Sequence, residues 1–187
     1  MNILHSAGGR RIVTYIDEGG VSRIAPEEKA PRVTEYAATP GLRTSVLWAT
    51  NGLPTLKPAP TDPAPGLASL HPAPGGTAFL TLTVPPDSVY LRDDFDPERA
   101  VSEQVAAMPG IVERMEIDAP GFHRTDTLDY VILLAGEIWL VVDEAETRLQ
   151  PGDIVIQGGA RHAWQNRSEE PATMAVMMIG VATRQDQ

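Results

Sequence analysis

Two histidines bracket the stretch of this chain in which chemistry is easiest to place. His123 and His162 stand near the ends of GFHRTDTLDYVILLAGEIWLVVDEAETRLQPGDIVIQGGARHAWQN, from Gly121 to Asn166. Between them lie a carboxylate (Asp129), a turn glycine (Gly136) and a Gly152-Asp153 turn. Alternate residues of a strand share a face. That places His162, Trp164 and Asn166 together on one strand, and Asp129, Val131 and Leu133 together on another. Two imidazoles and a carboxylate facing one cavity would make a divalent-metal site of the facial-triad type. Neutral imidazole supplies a lone pair, the carboxylate balances charge, and the open positions take water or substrate. The residue types alone leave a plainer alternative. A histidine beside an apolar stretch is more often a hydrogen-bonded structural group, and Asp129 could simply cap a turn.

The spacing resembles the two motifs of the cupin superfamily. The first is His-x-His, three or four residues, Glu, six residues, Gly; here it reads His123-x-Thr125, three residues, Asp129, six residues, Gly136. The second ends in Pro-x-Gly-x-x-His, three residues, Asn; here Gly152 leads to Gln157-x-Gly159-x-x-His162, three residues, Asn166. The run after Gly152 is one residue shorter than usual. Thr125 stands for a histidine, Asp129 for a glutamate and Gln157 for a proline. The resemblance covers about the last third of the chain.

That resemblance implies an all-β fold, the cupin double-stranded β-helix or jelly-roll barrel. It implies that His123, Asp129 and His162 converge on a divalent metal ion such as Fe, Mn, Ni or Zn. Thr125 takes the place of a third imidazole, and its hydroxyl suits a hydrogen bond to bound water or substrate better than ligation. Gln157 and Trp164 are the further candidates for contact with a substrate; Trp164 suits the core as well. The implied function is a small-molecule enzyme acting on a carbonyl- or hydroxyl-bearing metabolite. Lyase or dehydratase chemistry is preferred over oxygenase chemistry. In a metal-free version His123 or His162 is the acid or base. The alternative is a non-enzymatic or metal-free binding module. Small cupins commonly dimerise through strands or sheets, so a homodimer is expected.

Composition narrows the partners. The net charge of −10, with basic residues adjacent only at Arg10-Arg11 among notable clusters, argues against nucleic acid. There are no cysteines, which excludes disulfides and thiolate sites and suits a reducing cytoplasm. The stretch MNILHSAGGRR has no apolar run of signal-peptide length, and residues 131–142 are too short and interrupted to span a bilayer. A cytoplasmic protein without a membrane partner is the expectation. With 17 prolines, 16 glycines and few aromatics, many turns and short strands are expected rather than long helices.

The elements that must position the site follow from local pattern. Residues 1–76 read as an arm with a proline-rich loop, packing on the barrel or on a partner subunit; residues 77–187 read as the barrel. Within the arm, 11–15 and 21–24 suggest a hairpin and 42–50 a strand. One helix is marked by Asp96 as N-cap, Pro97 in the first turn and Pro109-Gly110 as terminator. Strands are expected over 77–84, 111–117, 129–135, 138–143, 147–149, 153–157, 163–166 and 173–181. Arg124, Arg161 and Tyr130 should face away from the cavity. His5 and His71 read as surface residues.

Overall fold

The computed structural model describes residues 11–26, 30–56, 58 and 61–182. His5 lies outside the described residues. Among the described residues eleven strands and one α-helix follow one another. β1 (Thr14–Ile16) and β2 (Ser22–Ile24) form a separate hairpin. The strands β3 (Arg32–Glu35), β4 (Arg43–Thr50), β5 (Thr77–Val84), β6 (Thr127–Ala135), β9 (Ile154–Gly158) and β11 (Ala172–Gly180) build a large sheet. Its order is β3-β4-β5-β11-β6-β9, antiparallel throughout. A smaller sheet has the order β10-β7-β8, from β7 (Ile138–Val142), β8 (Glu146–Leu149) and β10 (His162–Gln165).

The sheets pack face to face through strands with one buried side, β6 the clearest. In β6 the residues Thr127, Asp129, Val131, Leu133 and Ala135 are buried, while Tyr130 and Ile132 are exposed. Val131 and Leu133 meet Met174 of β11 and, from the small sheet, Ile138 and Leu149. This is the all-β jelly-roll arrangement. Gly136 makes the turn between β6 and β7 at φ 79°, and an added Cβ would lie 2.5 Å from the Pro171 carbonyl oxygen. A side chain is therefore excluded there by both backbone conformation and space.

A second apolar cluster covers the end of the large sheet beside β3 and β4. It joins Tyr36, Leu42 and Val46 to Leu70, Met108 and Val112 from the loops and the helix. The helix α1 (Pro97–Ala107) is capped by the Asp96 side chain, which accepts from the Arg99 backbone N–H at 3.0 Å. The large sheet continues across Gly76, because β4 pairs with β5 along its length, with one irregularity between Val46 and Trp48. Two strands of the segment expected as an arm, β3 and β4, thus belong to the large sheet.

One expected strand is absent. Residues 111–117 carry a 3-10 turn at Val112–Arg114 instead. Val112 turns into the core while Ile117 is 94% exposed, so one-sided burial along a strand is not achieved. The edge strand β3 was not anticipated: RVTE is too short and too polar to show a period. No helix among the described residues is long and apolar enough to cross a membrane.

Candidate functional site: an imidazole pair facing a buried carboxylate

His162 opens β10 and pairs with Val142 of β7. On the other side of β10, His123 bridges directly to His162, and the two exchange both backbone hydrogen bonds, 3.0 Å and 3.1 Å. Residues directly opposed in an antiparallel pair send their side chains to the same face. The two rings accordingly meet, with centroids 4.3 Å apart and planes tilted by 49°.

Each ring is fixed in the same way. His123 Nδ1 lies 3.1 Å from the Gly121 carbonyl oxygen, and His162 Nδ1 lies 2.9 Å from that of Ala160. A carbonyl only accepts, so each Nδ1 carries the proton and each Nε2 keeps its lone pair in the neutral ring. Both rings are buried, His162 to 2% exposure. Burial lowers the pKa of His123, opposed by the Gly121 carbonyl and Glu116. Burial, and then proximity to His123, lowers that of His162 to about 4. The pair is neutral at neutral pH, the form that donates electron pairs.

Asp129 projects from the inner face of β6, in register between Met178 of β11 and Gln157 of β9. Its Oδ1 is buried and has no hydrogen-bond partner. Burial pushes the carboxyl up to about 6. Thr127 Oγ1 donates to Thr125 Oγ1 at 2.7 Å, which leaves the Thr125 hydrogen free to donate onward. Gln157 Nε2 donates to the Ala160 oxygen at 2.9 Å, the same carbonyl that holds His162 Nδ1. The neighbour of Asp129 in register therefore shares an acceptor with the imidazole side. Trp164 stands edge-on to His162, centroids 5.7 Å apart, and packs against the core that includes Val131 and Leu133.

The expected ligands are thus two imidazoles whose nitrogens fit a metal and a carboxylate whose orphaned oxygen fits a cation or a proton. Among the described residues, however, no group of three His, Cys, Asp or Glu side chains is arranged to hold a metal ion. The two imidazoles are in contact with each other, and Asp129 projects from the inner face of β6 in the facing sheet.

Three features escaped sequence reasoning. Arg161, expected as a solvated surface residue, forms a two-pronged pair with Glu116, both distances 2.7 Å, and reaches Asp143 at 2.8 Å. Its guanidinium also stacks on the Phe122 ring at 4.0 Å. These contacts clamp the segment carrying His123 onto β10. Asn166, wholly buried, donates to the Val84 and Glu170 carbonyls at 3.0 Å and 2.8 Å and accepts from Ser168. It is structural, and the Asn-x-Ser turn chemistry of its neighbours was a usable signal. His71, expected at the surface, is half-buried and accepts from the Asp126 N–H at 3.1 Å.

Residues 113–179 match the family model described as "Cupin domain". Over those residues the chain is similar to the cupin domain. Phomopsin biosynthesis cluster protein D of Diaporthe leptostromiformis is 51% identical over 102 residues, 49% of this chain and 52% of that protein. Phomopsin biosynthesis cluster protein C' of the same organism is 36% identical over 98 residues, again 49% and 52%. The cupin-domain-containing oxidoreductase srdB of Neurospora crassa is 33% identical over 116 residues, 57% of this chain and 59% of that protein. The chain spans about half the length of the curated relatives it matches. Among solved structures, a cupin 2 conserved barrel domain protein from Salinispora arenicola is 16% identical with a TM-score of 0.38, covering 74% of this chain and 75% of that one.

Proposed function

We propose that this protein is a small-molecule enzyme of the cupin type, with His123 and His162 as its reacting pair. The observation that carries this reading is the repeated device at the two rings: each Nδ1 is tied to a backbone carbonyl, which leaves two Nε2 lone pairs on one buried face. A structural role needs no such matching of two tautomers. The substrate class is a carbonyl- or hydroxyl-bearing metabolite. Between the two reaction classes expected, similarity to cupin-domain-containing oxidoreductases such as srdB favours oxidoreductase over lyase chemistry.

A divalent ion is the cofactor that the pair would take, through both Nε2 atoms, and it would supply Lewis-acid or redox chemistry to a substrate oxygen. Asp129 would serve beside that pair as a carboxylate ligand or a proton carrier, since burial raises its carboxyl to about 6. Thr125 and Gln157 line the same side as donors, and Trp164 bounds the apolar side. Elemental analysis of the purified protein, with His123→Ala and His162→Ala beside it, tests the reading. Stoichiometric metal in the wild type and none in the variants supports it; equal content in all three removes the metal.

The second reading keeps the fold and the small-molecule ligand but removes turnover. The unpartnered Asp129 Oδ1 favours it, because a neutral carboxyl can hold a ligand without metal. Ligand binding that persists in metal-free protein, with no product formed, would select it.

We also propose a homodimer in a cytoplasmic setting. The β1-β2 hairpin stands outside both sheets with Ile12, Ile16, Val21 and Ile24 exposed, and the edge strand β9 exposes Ile154 and Ile156. An isolated hairpin and a free apolar edge are both stabilised by a partner. Light scattering giving a monomer mass would remove the dimer; a dimer that survives deletion of the residues before β3 would remove the hairpin from its interface.

A further inference from the structure

The large sheet carries a second polar feature, at its far end and on its outer face. Glu35 pairs with Arg43, Arg43 with Thr83, and Thr83 with Thr173, so four strands present one row of side chains. The row faces outward, because the flanking residues Thr44, Leu82, Val84 and Met174 face the core. A groove of about 580 Å³ opens over it, within the size range of small-molecule sites.

Arg43 is poorly satisfied. Its Nε is buried without a hydrogen-bond partner. Its ion pair with Glu35 is long, at 3.7 Å, and the Glu35 side chain is 82% exposed while that of Arg43 is only 21% exposed. A guanidinium whose Nε is desolvated in such weak company is costly unless something else pairs with it. The hydroxyls of Thr83 and Thr173 lie 3.0 Å apart. One donates to the other, which leaves a second hydroxyl hydrogen free. The groove therefore gathers a planar cationic fork and a spare O–H donor. Pro40, Leu42 and Pro171 complete its lining with apolar surface.

The geometry points to a second ligand site here, for the carboxylate of a small organic acid with an apolar body. The guanidinium fork matches the two oxygens of a carboxylate, and the threonine hydroxyl adds a third donor. The site is separate from the imidazole pair. Thr173 pairs with Ala135 on β6, whereas Asp129 pairs with Met178, five residues further along β11. That is about 17 Å at strand rise, and on the opposite face of the sheet.

A titration with benzoate at constant ionic strength, followed by two-dimensional NMR, tests this. Saturable shifts are expected at the Arg43 Nε–H and at the Thr83 and Thr173 amides. Arg43→Gln should weaken binding by about tenfold or more, as loss of a charge-assisted pair requires. Arg43→Lys keeps the charge without the fork; it should weaken binding several-fold and retain the native spectrum. His162→Ala should leave the titration unchanged. Shifts that do not saturate, that persist in Arg43→Gln, or that centre on His123 and His162 would overturn the site. Sulfate saturating the groove as tightly as benzoate would overturn its assignment to a carboxylate.

Discussion

The two walls of the barrel interior are finished to different degrees. On the small-sheet side, His123 and His162 are locked by backbone carbonyls, stacked at 4.3 Å and clamped from outside by Arg161. On the large-sheet side, Asp129 has a buried oxygen with no partner and a carboxyl held near 6. One wall has its electron pairs arranged in advance. The other awaits a proton, a cation or a substrate donor. A site of this kind pays for its burial on one side only, and the difference predicts how each wall responds when disturbed.

The largest effect should come from the imidazoles. His123→Ala or His162→Ala should abolish metal uptake and turnover, while circular dichroism stays native, because each side chain is held mainly by its own local carbonyl. Residual uptake equal to the wild type would make the two walls equivalent.

The next effect is in the pH dependence of stability, read by denaturant unfolding of metal-free protein. The folded-state pKa of Asp129 is raised from 3.8 to about 6. The native state keeps a proton that the unfolded chain has lost, so this stabilisation is full below about pH 4 and is lost as pH rises through 6. His162 acts with the opposite sign. Its pKa falls from 6.5 to about 4, so its stabilisation is full above 6.5 and is lost as pH falls through 4. Each amounts to roughly 3 kcal/mol at 1.36 kcal/mol per pK unit, and in the wild type they largely offset one another. Asp129→Asn should uncover the histidine slope, with stability rising by about 3 kcal/mol from pH 4 to 6.5 relative to the wild-type curve. His162→Ala should uncover the opposite slope. Parallel curves for the three proteins would deny that burial tunes these groups.

Asn166→Ala should cost about 2 kcal/mol, since it strands the buried Val84 and Glu170 carbonyls. It should do so without moving either imidazole, which separates structural from reacting polar groups at the two ends of β10. The smallest effect belongs to Arg161→Met. Its contacts are partly exposed, so melting should shift less than for Asn166→Ala. The His123 pKa should still relax toward 6.5 more than that of His162, because the clamp holds the segment of His123. Equal movement of both rings would remove the clamp's specific role.

Parts of this arrangement were legible in the sequence. Period-two burial placed Asp129 inward and Tyr130 outward, and the turn signals set β5 and the helix to the residue or nearly so. Gly136 stood out as a turn, although the carbonyl that forbids a side chain there comes from Pro171, far along the chain. What could not be read were relations between strands. Nothing local states that β3 and β4 extend the sheet beyond Gly76. Nothing local pairs Arg161 with Glu116, 45 residues away. The spacing of His123, Asp129 and His162 suggested a common centre. It does not encode the separation of two sheets, and that separation decides whether the carboxylate joins the imidazoles.

The most direct test is ¹⁵N NMR of the histidine side chains across pH 4 to 8, before and after addition of a divalent cation. Both His123 and His162 should be neutral at pH 7 with the proton on Nδ1. Protonation should come well below 6.5, and the cation should shift or broaden both Nε2 signals together. Rings that carry the proton on Nε2, titrate near 6.5, or ignore the cation independently of each other would show that this pair is part of the packing and not a reacting centre.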